Sequence, residues 1–243
     1  MAIRTDGRKA DEIRKLEINI GYLENPLGSC LIKAGKTIVL CTVNYEKRIP
    51  SFLLGKESGW LTAEYSLLPG STLQRTPRES TTLRINSRAQ EIKRFIGRSL
   101  RGILDLSLLK EITIFVDCDV LQADGGTRTL SVTGSFLALC EAIKKMLAWG
   151  IIEKNPIIDY LGAVSVGLVD GEMLLDLNYE EDFNAEIDMN VVLTGSGKIV
   201  EIQATAEKIP FSFETFFQLF QLAKKGIAEI IEIEKQYFCF DKS

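Results

Sequence analysis

The run Asp124-Gly125-Gly126-Thr127-Arg128-Thr129 stands where an apolar strand pattern stops and a helical pattern begins. Two glycines let a backbone turn tightly and approach a ligand with no Cβ in the way. The free N–H groups and positive dipole end of the following helix favour an anion. Thr127 can add a hydroxyl donor, and Arg128 a planar fork for phosphate oxygens. A plain glycine turn with an exposed arginine is the other reading of these residues.

A basic stretch forms the second constellation. Between Arg75 and Arg101 the chain carries Arg75, Arg78, Arg84, Arg88, Lys93, Arg94, Arg98 and Arg101 against only Glu79 and Glu91, a local +6 set against −10 elsewhere. The overall charge of −4 argues against nucleic acid, but this asymmetry is what a local polyanion-binding surface produces. Arg94, Arg98 and Arg101 fall on one helical face, where solvent or a subunit contact would also account for them. Arg75 and Arg78 stand on a loop from Pro69 to Ser87, punctuated by Pro and Gly and long enough to mark function or mobility. Arg88 opens a helix, where a cation opposes the dipole and a bound anion would compensate it.

The third constellation is acidic: Glu180-Glu181-Asp182, then Glu186-Ile187-Asp188. Strand alternation places Ile187, Met189 and Val191 on one face, leaving Asp188 and Asn190 on the other. A polar face beside an acidic loop can hold Mg²⁺ through one or two carboxylates, with water completing the octahedron. An ordinary solvated acidic loop is the alternative.

What the chain lacks narrows the chemistry further. It has no histidine, which excludes Ser-His-Asp and Cys-His machinery, H-E-x-x-H metalloproteases and His-liganded zinc deaminases. Carboxylates, Arg, Lys, hydroxyls, backbone N–H groups and a hard metal remain, a set suited to phosphoryl transfer. Cys30, Cys41, Cys118, Cys140 and Cys239 are odd in number and scattered, with no C-x-x-C pair, so structural zinc is not expected. Cys41 and Cys140 lie in apolar stretches and read as small core residues. No apolar run approaches the ~18–20 residues of a membrane span, and the N-terminus has no signal-peptide pattern, so a cytoplasmic protein is expected.

The elements that must position these residues alternate in type. Strands are expected over Ile18–Ile20, Ser29–Ala34, Thr37–Asn44 and Gly59–Leu68, the second and third joined at Gly35-Lys36. A helix follows, capped by Ser87 with Gln90 as a capping box. A strand over Glu111–Gln122 leads through the glycine turn to a helix over Thr129–Trp149. A hairpin turning at Asp170-Gly171 (Gly162–Val169, Glu172–Asn178), an acidic connection, strands Ile187–Thr194 and Ile199–Ala206, and a helix Phe213–Gln236 complete the chain. That helix is expected to bury Phe213, Phe216, Phe217, Phe220, Ile227, Ile230 and Ile231. The fold class is α/β, of the α+β type, with mixed sheets packed with helices and no visible linker.

Several blocks now match a known family. Asp6-Gly7-Arg8, Gly59-Trp60-Leu61-Thr62-Ala63-Glu64-Tyr65 with Leu68-Pro69, Cys118 through Thr129, Ala163-Val164-Ser165-Val166-Gly167, and Ala185 through Val192 together resemble bacterial ribonuclease PH, in order from about Arg4 to Glu234. Archaeal exosome subunits resemble the chain less well. The resemblance implies a single ribonuclease PH domain over residues 1–243, with a fold like the second domain of ribosomal protein S5, in a homohexamer built as a trimer of dimers. It implies a phosphorolytic 3′→5′ exoribonuclease that trims nucleotides beyond the 3′-CCA end of transfer-RNA precursors. Inorganic phosphate would be the co-substrate, nucleoside 5′-diphosphates the products, and nucleotide addition the reverse reaction. By the same resemblance, Arg88, Gly126, Thr127 and Arg128 bind phosphate, Asp182 and Asp188 are catalytic and hold Mg²⁺, and Arg75 and Arg78 bind RNA. A ring subunit that binds RNA without catalysis is the rival. The chain departs from the family pattern at Gly70, where an arginine follows Leu-Pro, and at Asn86-Ser87, where a Gly-Gly pair precedes the phosphate arginine.

Overall fold

The computed structural model describes residues 4–78 and 86–239. Five strands, β1 (Leu16–Ile20), β2 (Gly28–Ala34), β3 (Thr37–Glu46), β4 (Trp60–Leu67) and β5 (Thr113–Gln122), form one sheet in the order β1-β2-β3-β5-β4. Its pairs are antiparallel except β4 with β5, where Tyr65 stands opposite Cys118. Four more strands, β6 (Leu161–Val169), β7 (Glu172–Leu175), β8 (Ile187–Thr194) and β9 (Ile199–Ala206), form an antiparallel sheet in the order β7-β6-β8-β9. The mixed α/β class read from the sequence is the one found, although mixing of strand direction is confined to the first sheet.

Helix α2 (Thr127–Ala148) lies between the sheets, and nearly every residue from Thr129 to Met146 is buried. A helix buried all round needs no strongly polar face, which explains Ser131, Thr133 and Ser135 amid its Leu, Val and Phe residues. Helix α1 (Ser87–Arg101) is amphipathic, and Ile92, Phe95, Ile96 and Leu100 pack into the first core. Helix α4 (Phe213–Glu234) covers the outer face of the second sheet, meeting Val164, Val166, Met189, Val191 and Leu193. On β8, Ile187, Met189 and Val191 therefore face α4, while Asp188, Asn190 and Val192 point to the other side.

Four expectations need correction. Asn86, not Ser87, caps α1: its Oδ1 accepts from the N–H groups of Arg88 (3.0 Å) and Ala89 (3.3 Å). The acidic connection is a short helix, α3 (Tyr179–Asn184), started by a capping box between Asn178 and Glu181. Strand β7 stops at Leu175 because Asp176 takes φ +54°, which no strand accommodates. Phe213 and Phe217 are exposed because they share the solvent-facing stripe of α4 with Gln221, Lys224 and Ala228, while Phe216 and Phe220 pack partly against the core. Arg84 and Glu79 lie outside the described residues.

Candidate active site

The glycine turn forms as its residues suggest. Gly125 and Gly126 have φ +73° and +63°, in the left-handed region where a Cβ is strained. Space forbids a side chain as well: a Cβ on Gly125 would lie 2.5 Å from the carbonyl carbon of Asn178, and one on Gly126 would lie 2.5 Å from Arg14 Nη2. The turn is thus seated against the segment that leads into α3. Gly126 caps α2, so Thr127 and Arg128 occupy its first turn, where backbone N–H groups have no partner within the helix.

A buried ionic frame fixes this turn from below. Arg14 donates to the carbonyl of Asp124 (2.8 Å) and pairs with Asp176 at 2.6 Å, both residues being almost wholly buried. Thr37 Oγ1 donates to the Gly125 carbonyl (2.8 Å) and accepts from the Asp124 N–H (3.0 Å). Arg4 forks onto Glu181 (2.7 and 2.6 Å) and donates to the carbonyls of Leu175 and Asp176. Arg8 also reaches the Asp176 carbonyl, while pairing with Asp6 at 2.7 Å. Burial alone would raise the Asp176 carboxyl, but Arg14 and Arg8 hold it below its ordinary value. Sequence reading missed Arg4, Arg14, Asp176 and Glu181 as a group, because the partners stand more than 160 residues apart. The only sign of the frame was Asp6-Gly7-Arg8 among the family blocks.

Above the turn opens a polar cleft of about 610 Å³. Arg88 and Glu91 of α1, Arg128 of α2, Asp182 of α3, Asp188 and Asn190 of β8, and Gln203 and Glu207 on and beyond β9 line it. Four of the residues singled out from sequence, Arg88, Arg128, Asp182 and Asp188, thereby meet at one place. Arg128 is steadied by Gln203 Oε1 and by Glu91 at 3.3 Å, with its guanidinium 6.0 Å from the Phe95 ring centre. Among the described residues Arg88 forms no ion pair, and it lies close enough to draw down the carboxyl of Asp182. Thr127 Oγ1 hydrogen-bonds the Tyr65 hydroxyl at 2.8 Å.

The two aspartates are both held above the usual carboxylate range. Burial is the main cause for Asp182, opposed by Arg88 and Arg128 and reinforced by Glu207. Asp188 is pushed up to about 6 by burial and then by the neighbouring Asp182, although Asn190 Nδ2 donates to its two oxygens at 3.3 and 3.2 Å. Both carboxylates are partly buried, and the charge of Asp182 adds to the burial that raises Asp188. No group of three His, Cys, Asp or Glu side chains spaced to hold a metal occurs among the described residues. Two carboxylates on one cleft, Asp182 and Asp188, are a donor set of the kind a hard cation takes, with water and ligand oxygens completing its shell.

The other basic residues separate by role. Arg98 pairs with Glu201, and Arg101 lies 4.4 Å over the Trp60 ring while donating to the Leu61 carbonyl, so these two serve packing. Arg94 is exposed. Arg75 and Arg78 are exposed and do not line the cleft; Arg78 is near enough to Asp119 to draw its carboxyl down against the burial that raises it. Their loop is tied to the turn strand through the Ala123 N–H, which donates to the Ser71 carbonyl (2.8 Å). Gly70 faces open space. All five cysteines are free thiols, and no described helix is long and apolar enough to cross a membrane.

Comparison with known proteins agrees with this site. The 3′ exoribonuclease family models match in order, domain 1 over residues 12–144 and domain 2 over residues 159–226. Ribonuclease PH of Bacillus pumilus is 54% identical over 234 residues, covering 96% of this chain and 97% of that protein. Ribonuclease PH of Moorella thermoacetica is 53% identical, covering 96% and 94%. An Archaeoglobus fulgidus exosome structure with RNA bound to the active site superposes with a TM-score of 0.82 at 23% identity, over 95% of this chain and 92% of that one. Rice Rrp46 gives 0.77 at 20% identity, over 96% and 98%. With both domains present in order and more than half of its residues shared with these bacterial relatives over nearly its full length, the chain belongs to the 3′ exoribonuclease family, among the ribonuclease PH proteins.

Proposed function

We infer that the chain is a phosphorolytic 3′→5′ exoribonuclease that trims transfer-RNA precursors in the cytoplasm. The observation that carries this reading is the meeting of Arg88 and Arg128 with Asp182 and Asp188 in one cleft, beside a helix start built on two glycines. Cationic and anionic sides facing each other suit a reaction between two phosphates, one of which needs charge neutralisation while the other is attacked.

Arg88, the Gly126 turn, Thr127 and Arg128 hold inorganic phosphate. An oxygen of that phosphate forms a bond to the phosphorus of the terminal phosphodiester as the bond to the 3′-oxygen of the preceding nucleotide breaks. The products are a nucleoside 5′-diphosphate and an RNA one residue shorter, whose released 3′-oxygen takes up a proton. Because a phosphoanhydride replaces an ester, the reverse addition of nucleotides from diphosphates is accessible too. Asp182 and Asp188 would hold Mg²⁺, which when bound supplies Lewis-acid stabilisation of charge on phosphate oxygens. Asn190 orients Asp188, and Gln203 orients Arg128.

Arg75 and Arg78 contact the RNA outside the cleft. The two family regions act as one unit, since the cleft takes residues from both. A homohexameric ring, built as a trimer of dimers, gives the exposed Phe213 and Phe217 a partner surface. The free Arg88 and the two raised aspartates favour catalysis over a ring subunit that binds RNA alone.

The test is incubation of the purified chain with a 3′-extended transfer RNA, with and without phosphate and Mg²⁺. Nucleoside diphosphates should appear only when both are present, whereas monophosphates released in phosphate-free buffer would identify a hydrolase. Replacing Arg75 and Arg78 with Ala should lower the salt slope of RNA binding by about 1.4, the value for two lost contacts to a single strand.

A further inference from the structure

Tyr65 has no assigned part in the chemistry, yet its hydroxyl ends in a singular place. The residue lies on β4 with its ring in the first core beside Leu61 and Ala63, only 7% exposed. Its hydroxyl makes one hydrogen bond among the described residues, to Thr127 Oγ1 at 2.8 Å. Among the described residues that bond is also the only one made by the Thr127 hydroxyl, although the Thr127 carbonyl accepts from Ser131 Oγ. Arg88 and Arg128 both act electrostatically on the Tyr65 hydroxyl, which places it within the field of the two guanidinium groups that line the cleft.

A threonine hydroxyl has one proton and two lone pairs, so it can give its proton either to the tyrosine or to a ligand. Phenol is much the stronger hydrogen-bond donor of the two. A tyrosine that donates to Thr127 Oγ1 fills one lone pair and leaves the threonine proton free to turn elsewhere. An anion between Arg88 and Arg128 is the acceptor that would take it. Burial keeps the phenol protonated and able to donate, with Thr127 and the two arginines opposing the rise.

We propose that Tyr65 is a positioning residue for the phosphate site: it donates to Thr127 Oγ1 from inside the core and so aims the Thr127 proton at the bound phosphate. This deepens the phosphorolytic reading and rests on it. Tyr65 touches no reacting atom; it acts through Thr127.

Tyr65→Phe keeps the ring and removes only the donor. The experiment measures the phosphate dependence of nucleoside diphosphate release for wild type, Tyr65→Phe, Thr127→Val and the double variant. It also measures the affinity of each for inorganic phosphate alone by calorimetry. Loss of one oriented neutral hydrogen bond should raise KM and Kd for phosphate about threefold to tenfold, with kcat at saturating phosphate within about twofold. The double variant should be no worse than Thr127→Val, because the tyrosine has nothing left to orient. In a Thr127→Ser background, which keeps the hydroxyl, Tyr65→Phe should cost the same factor again. The proposal is overturned if Tyr65→Phe leaves both KM and Kd for phosphate unchanged. It is equally overturned if Tyr65→Phe lowers only thermal stability, or if its effect multiplies with that of Thr127→Val. Failure of wild type to release diphosphates would instead defeat the phosphorolytic reading, while the calorimetric comparison still decides whether Tyr65 governs an anion site.

Discussion

Arg14 and Asp176 lie 2.6 Å apart and almost wholly buried, whereas Arg128 and Asp188, in the cleft just above, form no ion pair with one another. The two sets use the same residue types on the two sides of the glycine turn. In the lower set every charge has a protein partner: Arg14 with Asp176, Arg4 with Glu181, Arg8 with Asp6. In the upper set Arg128 has the neutral Gln203 and the half-exposed Glu91 beside it, Arg88 forms no ion pair among the described residues, and the charge of Asp182 adds to the burial that raises Asp188. Charges matched within the protein hold a shape. Charges set along the walls of an open cleft stay available to ligands of the opposite sign.

The contrast breaks most visibly at the aspartates. Asp182→Asn or Asp188→Asn should reduce phosphorolysis to below about 1% of wild type with RNA binding nearly intact, because a neutral amide holds Mg²⁺ poorly. Turnover kinetics with a filter-binding control decide this, and an active double variant would falsify the metal assignment.

Next in size is the lower set. Arg14→Ala leaves the buried Asp176 with only the longer Arg8 contact at 3.6 Å and should cost about 3–5 kcal/mol in urea unfolding. Arg88→Ala, in the upper set, should change stability by no more than about 0.5 kcal/mol. Equal losses for the two would erase the distinction between the sets.

Arg128→Ala should slow phosphate-dependent turnover about 10–150-fold, the equivalent of a lost charge-assisted contact. A folded variant within twofold of wild type would move the phosphate site elsewhere.

The smallest effect is on pH dependence, measured without metal. Asp188 is raised in the fold, so between about 4 and about 6 the folded chain binds more protons than the unfolded one. Its contribution is present below the unfolded value and lost as pH rises through about 6. Asp176 is lowered, so its contribution is present above its unfolded value and lost as pH falls through the folded one. Asp188→Asn should therefore stabilise the metal-free protein at pH 7 by on the order of 1–2 kcal/mol, with solvent screening allowed for. Unfolding curves should show a gain at pH 7 that shrinks at about pH 4.5 and vanishes below the unfolded value.

Local pattern made much of this legible. Gly125, Gly126 and Thr127 announce a tight glycine turn into a helix from adjacent residues, and the alternation of β8 puts Asp188 and Asn190 on one face without knowledge of the fold. Helix α3 escaped because six residues offer no periodicity, although Asn178 and Glu181 spelled its cap. The α1 cap was misplaced by one residue because Asn86 and Ser87 are both good caps, and only the backbone chooses between them. Phe213 and Phe217 extend the apolar stretch at the start of α4, yet which stripe of a helix meets the sheet is a tertiary fact, and theirs faces outward. Arg101 reads as one more cation of the basic stretch, and only the fold sets Trp60 of β4 beneath it.

The guanidinium of Arg14 joins the carbonyls of Asp124 and Gly125 to the carboxylate of Asp176. The Asp176 N–H donates to the Ser165 carbonyl, and the next N–H, of Leu177, donates to Ser165 Oγ. Opening of that segment releases Arg14, and with it the turn. An anion that binds only the closed turn must therefore make such opening rarer, by an amount set by its concentration relative to its dissociation constant. With phosphate on the turn as proposed, amide hydrogen exchange at Asp176 and Leu177 should slow as it is added, although neither residue lines the cleft.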